Sequence, residues 1–515
     1  MLQDACDAVR SPQQTCDVQL VPILTRSDAF LQSNLDYFTP DVDGMYILGG
    51  DQTVAMGVVA DTPFERDMAA AYADGVVVGG SSAGDAVQSV NMINGFTGDN
   101  GPAESMRQGA VDLWTSQGVQ DPSRGLIFGL SSAIDEQHVY EQGRLGRAIN
   151  VAMMSGLPVL GMDAATGGGL VNENTLTDVV GYTSAVVVDP VTESASSHYG
   201  GPNSTLSVRG IVTHLVPPGG FGYEIGALRP TVAGVAEEPP SIVNRTYPDF
   251  STPSGSGSLF LSGGLVENPT GPAMSDFVAA SGGGGARIVV VAAGYRRATD
   301  AAAASKSLTA ALQPGVFAPI SHIVLNGKTD VSKAIAKIQD STGVFLTAPD
   351  ASRVKSAMNA QPTVLGAIHS RWAGGAAALL ADDAAAAVLG STFVADPPPS
   401  ADIDTESSED FLVSGSTVKS GLGWVTGANV EPRLLPDRHW GHLYRLAWSR
   451  PSTLAVGIDA GTALRIDGGR AVAVGQSAAV VLDAREANLG TGSNGAMAAR
   501  WVLLDSFVDG ERLAP

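Results

Sequence analysis

The sequence predicts an α/β fold, a mostly parallel sheet flanked by helices, written twice along the chain. Three observations carry this expectation. Short apolar runs end in glycine or a carboxylate and give way to helix-compatible stretches, as at residues 44–52 and 76–87; this is the grammar of parallel sheets. Similar segments return in the same order after residue 257, and self-similarity along a chain marks a repeated unit. With 515 residues, 44% of them hydrophobic, the chain can bury more than one core.

Taken in order, residues 1–43 hold an apolar segment at 18–24 and then a polar, helix-compatible stretch. Residues 44–48 read as a strand closed by Gly49 and Gly50, with a helix starting near Thr53. A second helix over 65–73 leads into the strand at 76–80. Residues 157–163 and 186–189 read as further strands, each ending in a carboxylate. From 235 to 257 the composition turns to Pro, Ser, Gly and Glu, which is linker chemistry. It separates an expected first domain, 1–234, from a second, 258–515. Strands at 259–264 and 286–292 then open the second domain.

The copies align by residue type. Residues 343–350 parallel 44–51, Arg371 to Ala376 parallels Ser81 to Ala86, Asp437-Arg438-His439 parallels Glu136-Gln137-His138, and 457–460 parallels 161–164. In this alignment Trp372 stands at the place of Ser82, so the second copy is expected to be degenerate. The first copy lacks counterparts of 259–264 and 286–292. Loss of a sheet strand leaves an unpaired apolar edge, so we expect a start upstream of Met1 or a lost opening strand. The segment Met1–Cys6 lacks the basic and then apolar pattern of a signal peptide. The compartment therefore stays open between the cytoplasm and export through a leader lost with the missing part.

Composition narrows the function. Asp and Glu number 52 against 30 Lys and Arg, a formal charge of −22. Phosphate binding needs clustered positive charge, so a nucleic-acid partner is not expected. No apolar run is long enough for a membrane span. Cys6 and Cys16 can form one local disulfide or remain free thiols; two cysteines without a nearby histidine make no zinc cage. Neither metal nor cofactor is expected.

The chemistry centres on Gly80-Ser81-Ser82-Ala83-Gly84, a Gly-x-Ser-x-Gly turn between a strand and a helix. Such a turn lifts the serine clear of the sheet and leaves backbone N–H groups nearby. Gly50-Asp51-Gln52 sits at the end of another strand, where functional groups of parallel sheets gather. His138 is one of seven histidines, next to Asp135, Glu136 and Gln137 and ahead of Arg144 and Arg147. Carboxylates can orient an imidazole, and arginines can hold an anion.

Together, Gly49-Gly50-Asp51-Gln52, the serine elbow, Gln137-His138 with Arg144 and Arg147, and Gly161-Met162-Asp163 resemble, in order, the signatures of cyanophycinases. That serine peptidase family also contains aspartyl dipeptidases. The resemblance implies the flavodoxin-like, class I glutamine-amidotransferase-like sandwich in each copy. It implies Ser82 as nucleophile, His138 as general base, and the N–H groups of Gly50 and Ala83 as oxyanion hole. Asp51, Gln52, Gln137, Arg144 and Arg147 fall on positions that contact substrate, an aspartyl-containing peptide or polymer. The family's pairing into dimers implies an intrachain pseudo-dimer. Three departures stand out: Gln142 replaces an arginine, Asp85 an alanine, and Ala164 the glutamate behind the histidine. The third triad member is then expected to be Asp163, with Asp135 and Glu136 as alternatives.

Overall fold

The computed structural model describes residues 2–115, 122–240, 245–266, 269–395 and 402–515. It is a mixed α/β structure that divides into two compact units, Met1–Asn94 with Leu113–Ser131, and Gly95–Asp112 with Ser132–Pro515. This division does not follow the 235–257 segment.

In the first unit the strands Gly44–Ile47 and Val77–Gly80 run parallel, Gly44 opposite Val77 and Ile47 opposite Gly80. Helix Gln52–Val59 follows the first strand and helix Pro63–Ala73 precedes the second. Both start on a side-chain cap that satisfies free N–H groups. The Asp51 carboxylate accepts from Thr53 and Val54, and the Thr62 hydroxyl accepts from Glu65, with Pro63 in the first turn. Met56, Met68, Val87 and Leu126 make the apolar core. The buried Arg124 guanidinium pairs with Glu65 at 2.6 Å and ties the 122–131 segment to the second helix. Cys6 and Cys16 are disulfide-bonded, which settles the alternative left open by their spacing.

The second unit contains a seven-stranded sheet in the order Ser321–Leu325, Ile288–Ala293, Gly343–Ala348, Ala378–Asp383, Leu259–Ser262, Thr462–Asp467, Arg470–Gly475. The first five are parallel, and the last two add antiparallel. Alternate residues feed separate cores: Leu259, Val289 and Leu346 face one, Phe260, Val290 and Phe345 the other. A sheet covered on both faces needs apolar side chains at both phases, hence the unbroken runs in the sequence.

A ten-stranded sheet also belongs to this unit, beside a five-stranded one within residues 166–236. At its centre Thr205–Val216 runs antiparallel to Met497–Phe507, with Val212 opposite Leu503. Outward on one side come Ala185–Asp189, Val159–Met162 and Ile134–Gln137; on the other come Ala479–Asp483, Leu454–Ile458 and Ala428–Pro432. The two sides mirror each other in order and direction.

In the 235–257 stretch Arg245 pairs with Asp505 at 3.1 Å and Phe250 is buried in a core. Residues 241–244 of that stretch lie outside the described residues. Two sequence expectations, on Trp372 and His439, are corrected. Trp372 does not stand at a nucleophile position. It lies within helix Pro362–Ala373, ahead of the strand, and the residue at the strand-to-helix turn is Asp383, at φ 57° and ψ −134°. His439 is not the counterpart of His138. His138, at φ 55°, directly follows strand Ile134–Gln137, whereas Arg433, at φ 54°, directly follows Ala428–Pro432.

His214 in the central strand pair is fully buried, and its Nδ1 accepts the Trp501 N–H at 3.2 Å. Burial, helped by the Arg500 charge, pushes its pKa down to about 3. The folded value lies below the unfolded one, so the stabilisation is complete above about pH 6.5 and is lost as pH falls toward 3. Between pH 6.5 and 5 this amounts to about 2 kcal/mol. Urea unfolding at both pH values should show that loss in the native chain, and a loss smaller by about that amount in His214→Gln.

Candidate active site

The serine elbow is forced by contact, not by preference alone. A Cβ on Gly80 would meet the Gly84 carbonyl oxygen at 2.0 Å, and a Cβ on Gly84 would meet the Ile47 carbonyl oxygen at 2.1 Å. Only glycine allows the strand end, the turn and the following helix to approach this closely. Between them Ser82 adopts φ 54° and ψ −121°, a conformation that costs a non-glycine residue of order 1–3 kcal/mol and clusters at functional sites. Helix Ala83–Ala86 begins directly after it. Gly49 lies against the serine, since a Cβ there would come within 3.6 Å of Ser82 Oγ. The Gly49-Gly50 turn and Ala83 therefore flank the Ser82 side chain.

Asp51 and Gln52, placed beside this turn, have structural partners. Asp51 is the helix cap, with its pKa lowered chiefly by the Thr53 hydroxyl. Gln52 is buried and its amide nitrogen donates to the Ile93 and Asn94 carbonyls at 3.1 and 2.7 Å.

His138 belongs to the second unit. Its Nδ1 lies 3.1 Å from Glu141 Oε2. Glu141 is thus a carboxylate at this imidazole, and the sequence analysis did not include it. The signal was available, because a histidine and a glutamate three apart meet when the chain turns between them. That turn is closed by the Gln142 N–H on the His138 carbonyl at 3.1 Å.

Two of the three carboxylates expected at His138, Asp163 and Glu136, have other partners. Asp163 Oδ1 accepts the N–H groups of Tyr140 and Glu141 at 3.1 and 2.8 Å, and Oδ2 accepts from Ser408 at 2.6 Å and Thr183 at 3.3 Å. Burial pushes its pKa up, opposed by those donors. It holds the turn that carries Glu141, and so acts on His138 at one remove. Glu136 is buried and paired with Arg147, whose Nε donates to it at 2.7 Å. Asp135 lies on the same strand, Ile134–Gln137.

The two arginines differ in kind. Arg147 is buried, spent on Glu136 and stacked on the Phe96 ring at 4.8 Å. Arg144 is held by neutral oxygens, the Gln137 carbonyl at 3.0 Å and the side-chain oxygens of Gln137 and Gln142. Burial and the neighbouring Arg147 push its pKa down to about 10. A partly buried cation bonded to amide oxygens keeps its charge available for an anion.

The turn at Asp383 carries different chemistry. Asp383 is pushed up to about 8 by desolvation and by Asp382. Arg433 makes a two-pronged ion pair with Asp437 at 2.6 and 3.0 Å. Neither a hydroxyl nucleophile nor an imidazole base occupies those two positions.

The first unit sets a strained serine between strand and helix, and the second sets a histidine beside a glutamate at a strand end, side chains of the kinds that serve nucleophilic hydrolysis. Sequence comparison is more particular. Over 180 residues the chain is 29% identical to the cyanophycinase of Trichormus variabilis and, equally, to that of a Nostoc species, covering 34% of this chain and 55% of each relative. Over that stretch it is cyanophycinase-like, and it spans about half the length of the curated relatives it matches. No protein-family profile matches the chain. A solved peptidase from an acI-B1 Actinobacterium aligns at 15% identity over 50% of this chain and 97% of its own, with a TM-score of 0.35, too loose a likeness to carry an argument.

The contrast between the arginines is testable by stability. Arg147→Ala strands the Glu136 carboxylate in the core and should lower the unfolding free energy by about 3–5 kcal/mol. Arg144→Ala leaves only amide oxygens behind and should cost about 1 kcal/mol. Urea titration of both variants distinguishes the roles; equal losses contradict the assignment.

Proposed function

We propose that the chain is a serine-type peptidase that cleaves peptide or isopeptide bonds at aspartyl units through an acyl-enzyme on Ser82. The observation that carries this reading is the strained backbone of Ser82 between two glycines that tolerate no side chain. The partial likeness to cyanophycinases supplies the substrate class, an aspartyl-containing peptide or polymer. Nucleic acid and membrane have no part in it.

In this reading Ser82 Oγ attacks the scissile carbonyl and the N–H groups of Gly50 and Ala83 receive the oxyanion. The Nδ1–H of His138 donates to Glu141, which leaves Nε2 as the acceptor of the serine proton. The protonated imidazole then returns that proton to the leaving amine, and water releases the acyl group by the same route. Arg144 holds a substrate carboxylate, positioned by Gln137. Asp163 supports the turn, Asp51 and Gln52 support the elbow, and Arg147 braces the strand through Glu136.

We further assign the two halves to copies of one flavodoxin-like, three-layer sandwich, 1–234 and 258–515, joined by 235–257. The mirrored strand order of the ten-stranded sheet supports an intrachain pseudo-dimer. The second copy, with Asp383 and Arg433 at the two key positions, is inactive as a serine hydrolase. A non-catalytic binding or scaffold role is the second reading, favoured by Ala164 where the family has glutamate.

The test is hydrolysis of aspartyl dipeptides and of the aspartyl–arginine isopeptide. Ser82→Ala should reduce kcat/KM by at least about 10³-fold, and Glu141→Gln by about 10²–10⁴-fold. Turnover that survives Ser82→Ala contradicts the peptidase reading, and a chain with no turnover on either substrate supports the scaffold.

A further inference from the structure

Glu431, at the end of strand Ala428–Pro432, faces two histidines at the start of helix Trp440–Ser449. Its Oε1 lies 2.9 Å from His439 Nδ1 and 3.1 Å from His442 Nδ1. The three ligand atoms all fall within 4.8 Å of one another, and among the described residues this is the group of His, Cys, Asp and Glu that meets that condition. The far nitrogen of His442, Nε2, lies 3.1 Å from Asp410 Oδ2. His439 Nδ1 also lies 3.2 Å from the Pro432 carbonyl. Glu431 and His442 are buried, and His439 is partly exposed, which leaves an approach from solvent.

The matching place in the first half shows what is unusual here. There Glu136 is paired with Arg147, and Arg144 stands immediately before helix Leu145–Ser155 as His439 stands immediately before Trp440–Ser449. A glutamate flanked by two arginines carries permanent cations that cannot ligate a metal. The same glutamate flanked by two histidines offers one carboxylate oxygen and, once an ion displaces the Nδ1 proton that each ring shares with Glu431, two imidazole nitrogens, the donor set of zinc-like divalent ions. Asp410 on the outer nitrogen of His442 supplies the carboxylate that commonly orients a metal-bound imidazole.

We propose that Glu431, His439 and His442 form a binding site for one divalent transition-metal ion of the zinc kind. The ion takes over the cross-linking that Arg147 performs on Glu136, tying the strand to the helix that follows it. Metal–ligand bonds of about 2.0–2.2 Å require the ligand atoms to spread by a few tenths of an ångström, within reach of side-chain rotation. The site is independent of the chemistry at Ser82.

The test uses the full chain, stripped with a chelator and then given Zn²⁺ or Co²⁺. Native protein should retain one Zn²⁺ per chain after gel filtration, should show the visible absorption of Co²⁺ in a low-symmetry nitrogen and oxygen site, and should melt at a higher temperature with Zn²⁺. The double variant His439→Arg, His442→Arg, which copies the first half, should bind at least 100-fold more weakly. Glu431→Gln, a near-isosteric change, should weaken binding about 10–100-fold and remove the thermal shift. A native chain that leaves the column free of metal overturns the proposal. So does binding of native strength in Glu431→Gln or in the double variant, which would place the ion on the acidic surface.

Discussion

The contact on which the rest depends is the approach of three backbone segments at the serine turn. The Gly84 carbonyl fills the space where a Gly80 side chain would be, and the Ile47 carbonyl fills the space beside Gly84. Neighbouring parallel strands set Ile47 opposite Gly80, so the turn is clamped by the sheet it leaves. The strain in Ser82 is held because its surroundings allow no alternative path. Relaxing the turn would lay the serine hydroxyl into the sheet and remove it from the Gly49-Gly50 backbone.

The histidine is held by another kind of constraint, a chain of polar contacts at the end of strand Ile134–Gln137. Asp163 fixes the N–H groups of Tyr140 and Glu141, Glu141 meets His138, and Glu136 anchors Arg147 beneath them. Each buried carboxylate there has donors, as the low-dielectric interior requires. Similar contacts surround the strand end at Ala428–Pro432. Asp459 accepts the Leu435 N–H as Asp163 accepts that of Tyr140, and Glu431 meets His442 as Glu136 meets Arg147.

Much of this was legible in the sequence. Apolar runs closed by glycine or a carboxylate located the strands at 44–47, 77–80, 159–162 and 343–348, the last two of them buried along nearly their whole length. Gly-x-Ser-x-Gly located the elbow, since two side chains are sterically excluded there. The second elbow was missed because Ala381 and Ala385 stand where glycines would have marked it, and the Gly374-Gly375 pair ends a helix instead. Trp372 was therefore placed eleven residues too early. His439 was matched to His138 because each precedes an arginine by six residues, a spacing that the folded chain does not use. Glu141 was overlooked because the acid was sought on the neighbouring strand, whereas a tight turn brings it back from three residues on.

The central claim is that Ser82, strained into its turn between strand and helix, carries a covalent intermediate. Intact-mass analysis after reaction with a fluorophosphonate reads this directly. The account predicts one adduct per chain, mapped to the peptide that contains Ser82, and none on the Ser82→Ala chain. No adduct on the native protein, or an adduct that persists when Ser82 is replaced, would contradict it.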